Sequence, residues 1–209
     1  YNIVALNCSV IPPEASGWFR KEINTLDDFK GLKMRFFGLG ANVMQKMGVA
    51  TQLLQAGEIF QALQLGTIDA TEFSMPTMDL TLGFHQVAKF YYFPGWHQQT
   101  SIGQLYISKK KWEELSPHQR DVIDLGCKAQ MVVEYAEAEA KQFGAMKELQ
   151  SKGVQIKKWP PEILKAMESK WDEVVKEESA KSENFKKVWA SYSKFRADYA
   201  IWREHGYMK

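Results

Sequence analysis

The sequence predicts an α/β fold on a mostly parallel sheet, and two patterns carry that expectation. Through the first hundred residues, short apolar runs alternate with short amphipathic helical stretches, the rhythm of βαβ units. Beyond them long helical patterns dominate, interrupted by two more apolar runs. The composition suits such a fold, since the 209 residues are 45% hydrophobic and 25% charged. That is enough apolar material for one large domain or two small lobes, and too much for a disordered chain.

Residues 1–6 (YNIVAL) read as an opening strand. No Met and no basic leader precede it, and a core strand seldom opens a domain. N-terminal residues of the natural protein are therefore expected to be absent from the chain. Residues 32–37 form the next strand. Residues 42–47 are helical and stop at Gly48, and residues 50–54 are extended. Residues 58–65 make an amphipathic helix, with Ile59, Ala62 and Leu63 on one face and Gly66 as its stop. Residues 67–73 are a buried strand, and a short helix follows over 76–83.

In the second half, residues 102–108 are strand-like. Ser116 before Pro117 is a helix start, with a capping hydroxyl ahead of Pro at the first helical position. The helical pattern then runs over 117–152, long enough that a bend or break near Gly126 or Gly144 is expected. A short strand over 154–158 precedes a helix begun by Pro160-Pro161, with Ile163, Leu164, Met167 and Trp171 on one side. The last helix, 184–205, carries Val188, Trp189, Tyr192, Phe195, Tyr199 and Trp202 as a broad apolar stripe.

Several classes of function are disfavoured. With 27 basic and 25 acidic residues the formal charge is +2, which gives no electrostatic reason to expect nucleic acid. No apolar run is long enough to span a membrane. Cys8 and Cys127 lack metal-ligand spacing and do not make a disulfide framework, so they read as buried small residues. His85, His97, His118 and His205 are too scattered for a zinc site. Neither a phosphate-binding loop nor a nucleophile elbow is present.

Two charged residues stand out because they sit in apolar strands. Arg35 lies between Met34 and Phe36. Buried Arg is rare unless paired, and its planar fork suits a carboxylate. It reads as a ligand anchor, as one half of a structural ion pair, or as a residue on an exposed sheet face. Glu72 ends a buried strand, where open α/β sheets bind their ligands. It could serve a cation or a ligand hydroxyl, or play a capping or salt-bridge role for the helix that follows.

Three stretches carry a resemblance. The first is Gly17-Trp18-Phe19-Arg20-Lys21-Glu22-Ile23, continued by Leu26-Asp27-Asp28-Phe29-Lys30-Gly31-Leu32-Lys33-Met34-Arg35. The second is Gly57-Glu58-Ile59-Phe60-Gln61-Ala62-Leu63 with Gly66-Thr67-Ile68-Asp69-Ala70-Thr71-Glu72-Phe73. The third is the run from Gly83 to Trp96. Together with Phe195-Arg196-Ala197-Asp198 they resemble, in order and spacing, the solute-binding proteins of tripartite ATP-independent periplasmic (TRAP) transporters. The likeness is nearest to the branch that binds 2-oxo or 2-hydroxy carboxylates with a metal ion.

That resemblance implies a two-lobed periplasmic-binding-protein-like fold whose first lobe is largely missing from this chain. Residues 1–12 would be a strand of the first lobe or hinge, and 13–100 the second α/β lobe. Residues 101–140 would be a strand and long helix spanning both lobes, and 141–209 helices packed on the second lobe. By the same resemblance Arg35 grips the ligand carboxylate, Glu72 and the Phe73 carbonyl hold the ion, and Trp96 lies beside the ligand. Glu14 stands where the family has a metal-binding Gln, and Phe73 where Trp is usual. The expected cofactor is a cation, sodium or calcium, with no organic group. The expected partners are a small organic acid, the TRAP membrane subunits, and a second copy of the chain through the C-terminal helix. The expected location is the periplasm. A metal-dependent enzyme acting on a small oxo acid is the alternative; it needs a general base near Arg35 and Glu72, and no His neighbours either in sequence.

Overall fold

A computed structural model describes residues 1–208 of the chain. In chain order the elements are β1 (Ile3–Ile11), β2 (Gly17–Phe19), β3 (Lys33–Arg35), α1 (Gly38–Lys46), β4 (Ala50–Gln52) and α2 (Ala56–Leu65). Then come β5 (Ala70–Thr71), α3 (Pro76–Thr81), β6 (Phe90–Phe93), β7 (Ser101–Ser108) and α4 (Lys109–Glu114). The chain closes with α5 (Pro117–Ser151), β8 (Gln155–Lys158), α6 (Pro161–Lys181) and α7 (Glu183–His205).

Six strands form one mixed sheet in the order β4-β3-β5-β2-β6-β8. The β4–β3, β3–β5 and β6–β8 pairs are parallel, while β2 runs antiparallel to both β5 and β6. Strands β1 and β7 pair separately as an antiparallel ribbon.

Both faces of the six-stranded sheet are buried, and successive side chains alternate between them. On β2, Phe19 enters one core with Met34, Val43, Tyr92, Trp159, Ile163 and Met167, beneath α1 and α6. Its neighbour Trp18 enters the other with Ile59, Leu63, Phe84, Tyr91 and Leu149, beneath α2 and the end of α5. Stacked pairs mark each side: Trp18 on Tyr91 at 3.9 Å, and Tyr92 on Trp159 at 4.1 Å between ring centroids. Such doubly buried strands carry unbroken aromatic runs without alternation in polarity. This is why β2 and β6 give no strand signal in the sequence.

Two expectations are corrected. The first concerns α5, which runs 35 residues without a break at Gly126 or Gly144. An isolated glycine costs a helix only about 1 kcal/mol. The start is well fixed, with Ser116 Oγ accepting from the Gln119 N–H ahead of Pro117, and the body packs on β1 and α3. The second correction concerns the cysteines, since Cys8 on β1 and Cys127 on α5 form a disulfide. They are 119 residues apart in sequence, so nothing in their spacing announces the pairing.

Candidate functional site

All the strand ends that matter lie at one edge of the sheet. In the parallel pair β3–β5, Arg35 sits opposite Thr71, and the Glu72 N–H donates to the Arg35 carbonyl at 3.0 Å. Because β2 is antiparallel to β5, the loop before Gly17 returns to that same edge and brings Glu14 with it. Strand β6 also ends there, since Gly17 is paired with Tyr92. The segment 94–97 therefore follows directly. Two glycines let these backbones meet. A Cβ on Gly17 (φ +136°) would collide with the Thr71 carbonyl, and one on Gly95 would collide with the Glu14 carbonyl. Gly95 instead donates its N–H to that oxygen at 3.0 Å.

The side chains gathered at this edge are charged and buried. Arg35 Nη1 donates to Glu72 Oε2 at 2.9 Å and to the Glu72 backbone carbonyl at 2.5 Å. The guanidinium also lies 5.4 Å from the ring centroids of both Phe37 and Phe73, a cation–π position. Glu14 accepts from Ser74 Oγ at 3.3 Å. Burial, followed by the nearby Glu72 charge, pushes its carboxyl from 4.5 up to about 7. Glu14, Glu72 and His97 offer ligand atoms all within 4.8 Å of one another. His97 Nε2 is 3.4 Å from Glu72 Oε1 and 3.9 Å from Glu14 Oε2.

Beneath the cluster, Asp79 is fully buried. Its Oδ2 accepts from Trp18 Nε1 at 2.9 Å and from the Tyr91 hydroxyl at 2.8 Å, and its Oδ1 accepts from the Ser74 N–H at 3.2 Å. Asp79 thus fixes β2, β6 and the chain after Glu72 to one another. Beside the cluster a groove of about 920 Å³ runs between residues 96–100 and α6, with Trp96, His97, Leu164, Met167 and Trp171 on its walls.

Arg35, Glu72, Phe73 and Glu14, singled out in the sequence, are therefore brought together. Trp96 lies at the margin, its ring 6.0 Å from Phe36 and 5.4 Å from His97. His97 was missed. Its one signal is position, two residues after Gly95 at the end of an aromatic strand, and that strand is itself hard to read. Asp79 was missed too, because its partners Trp18 and Tyr91 are distant in sequence.

The donor set fits a cation. Glu72 Oε1, both His97 nitrogens and Arg35 Nε are buried with no hydrogen-bond partner among the described residues. Buried polar atoms left this way are costly. Two nearby carboxylates also disfavour each other's charge. A cation held by Glu14 and Glu72 would engage Glu72 Oε1 and offset the acidic charge.

The comparisons agree with this chemistry. A bacterial extracellular solute-binding protein family, family 7, matches residues 14–182. A monocarboxylate 2-oxoacid-binding periplasmic protein from a Nostoc species is 30% identical over 202 residues, 97% of this chain and 56% of that protein. A TRAP transporter solute-binding protein from Bordetella bronchiseptica, with copurified calcium and picolinate, is 35% identical with a TM-score of 0.92. The match covers 97% of this chain and 60% of that one. One from Colwellia psychrerythraea, with calcium and pyruvate, is 29% identical with a TM-score of 0.90, covering 97% and 62%. The chain thus spans little more than half the length of these relatives. By sequence and by fold, the chain belongs to the bacterial extracellular solute-binding proteins of family 7, the binding proteins of TRAP transporters.

Proposed function

We propose that this protein captures a small 2-oxo or 2-hydroxy carboxylate together with a cation, and delivers it to TRAP membrane subunits. The observation that carries the reading is the buried Arg35–Glu72 pair with Glu14 beside it. Arg35 commits Nη1 to Glu72 and keeps Nε buried and unpartnered. A ligand carboxylate on that edge would complete a bidentate, charge-assisted pair. The cation, on Glu14, Glu72 and the Phe73 carbonyl, would polarise the ligand's 2-oxygen and offset the acidic charge. Trp96 and Phe73 would shield the site from water. Contacts made only when a first lobe closes over the ligand would favour the closed form.

The exposed apolar residues Ile3, Ile102, Leu105 and Tyr106 on β1 and β7, with Val132 and Val133 on α5, support a surface that such a lobe covers. The Cys8–Cys127 disulfide supports an oxidising compartment such as the periplasm. No helix among the described residues is long and apolar enough to cross a membrane.

One observation favours an enzyme instead: His97 stands 3.4 Å from Glu72 in space, although not in sequence. The test is a calorimetric titration with pyruvate and longer oxo acids, followed by NMR of the same samples. Binding with the acid recovered unchanged supports capture. Steady consumption of the acid would make the protein an enzyme, and no binding by any small carboxylate would overturn the reading.

A further inference from the structure

We propose that Gln142, on the long helix α5, is a positioning residue for the binding site. It clamps the segment 73–77, and so holds the Phe73 carbonyl and the Ser74 hydroxyl in register with Glu14 and Glu72. The inference rests on the cation site proposed above and names what keeps it in shape.

The segment has few ties of its own. It leaves β5 at Thr71 and turns into α3, a helix of six residues whose N-cap, Met75, offers no capping side chain. Pro76 has no N–H, so the first donor left open is the Thr77 N–H. Gln142 supplies from another helix what α3 lacks. Its Oε1 accepts from the Thr77 N–H at 3.1 Å, as a capping oxygen would, and its Nε2 donates to Thr77 Oγ1 at 3.1 Å. The same nitrogen donates to the Ala138 carbonyl, one turn back on α5, at 2.8 Å. The side chain is thus gripped by its own helix and grips Thr77 with both ends of its amide. Packing of α5 on β1 and the Cys8–Cys127 disulfide hold that helix in turn.

The clamp reaches the site through the residues just before Thr77. Ser74 donates its hydroxyl to Glu14 Oε1 at 3.3 Å, and its carbonyl accepts from the Ala15 N–H at 3.1 Å. A shift of Thr77 therefore carries Ser74, the Glu14 loop and the Phe73 carbonyl with it. Asp79 holds the Ser74 N–H from beneath, so the segment is fixed from two sides. Partners that orient a metal's ligands in this way change its affinity roughly 10- to 100-fold when removed.

Calorimetry with calcium on metal-stripped protein, then with pyruvate on the calcium-loaded protein, compares wild type with Gln142→Leu, Thr77→Val and the double variant. Gln142→Leu keeps the bulk and loses the clamp, and is expected to weaken each by about tenfold. Thr77→Val leaves the N–H in place and should cost about threefold. In the Gln142→Leu background it should cost nothing further, because both act through one contact. In metal-free protein the Thr77 amide should exchange with deuterium at least about tenfold faster in Gln142→Leu. A merely structural contact would lower the melting temperature and leave both affinities unchanged in the folded variant. That result would overturn the inference, as would unchanged exchange at Thr77, or a Thr77→Val cost that is the same in both backgrounds. If Gln142→Leu does not fold, Thr77→Val decides alone, and unchanged affinity overturns the inference. Each of these leaves the cation site standing, whereas a wild-type protein that binds neither calcium nor pyruvate would overturn the site and the inference together.

Discussion

Arg35 and Glu72 form a buried ion pair across the ends of two adjacent parallel strands, with side chains 10% and 0% exposed. One guanidinium nitrogen engages both the carboxylate and the backbone carbonyl of Glu72. The pair is a structural tie and, in the function proposed above, half of a ligand clamp, so its variants should separate the two roles.

Arg35→Ala strands a buried carboxylate and is expected to cost about 3–5 kcal/mol of stability. Arg35→Lys keeps the charge but loses the planar fork. It should fold, and should bind pyruvate more weakly by about 2 kcal/mol, or about thirtyfold. Calorimetry on the Lys variant checks this, and unchanged affinity would remove Arg35 from the binding site.

Asp79 should give stability a distinctive pH dependence. Burial pushes its carboxyl from 3.8 up to about 7, against the lowering effect of its hydrogen bonds from Trp18 and Tyr91. The folded protein therefore holds this proton more tightly than the unfolded chain. The associated stability is fully present below 3.8 and is lost as pH rises through about 7. Asp79→Asn removes the titration, so melting temperature plotted against pH should fall less steeply across that window. Parallel curves for variant and wild type would contradict the assignment.

The disulfide between Cys8 and Cys127 closes a long loop and ties α5 to β1. Its loss is expected to cost about 2–5 kcal/mol. Urea unfolding with and without reductant, and of Cys127→Ser, measures it. An unmoved midpoint would show that packing of α5 on β1 holds that contact unaided.

No residue of α7 is fully buried, and Val188, Tyr192, Phe195, Ile201 and Trp202 are exposed along it. Trp189 meets α6, edge-on to Trp171 at 5.5 Å. A stripe of this size is expected to pair with a second copy. Light scattering should report a dimer that becomes a monomer when residues 184–209 are deleted. A monomer in both cases would reject the pairing.

What the sequence reveals follows from where the signals are local. Arg35 and Glu72 are legible because charge in an apolar strand is costly and conspicuous. The helices α2 and α6 are legible from their apolar periodicity and their Gly and Pro boundaries. Glu14 has no local signal and is found only through the resemblance. His97 and Asp79 acquire meaning from partners that antiparallel pairing around β2 brings in, and β2 has three residues with no alternation to betray it. The cysteine pair is hidden for the same reason, since only the packing of α5 on β1 makes the two neighbours.

The central claim is that the cation and the organic acid occupy one site and support each other's binding. Titrating pyruvate into metal-stripped protein and into protein saturated with calcium or sodium tests this directly. Binding in the metal-loaded protein is expected to be tighter by at least about tenfold, and by reciprocity pyruvate should tighten the ion by the same factor. Equal pyruvate affinity with and without the ion would contradict a shared site built on Arg35, Glu72 and Glu14.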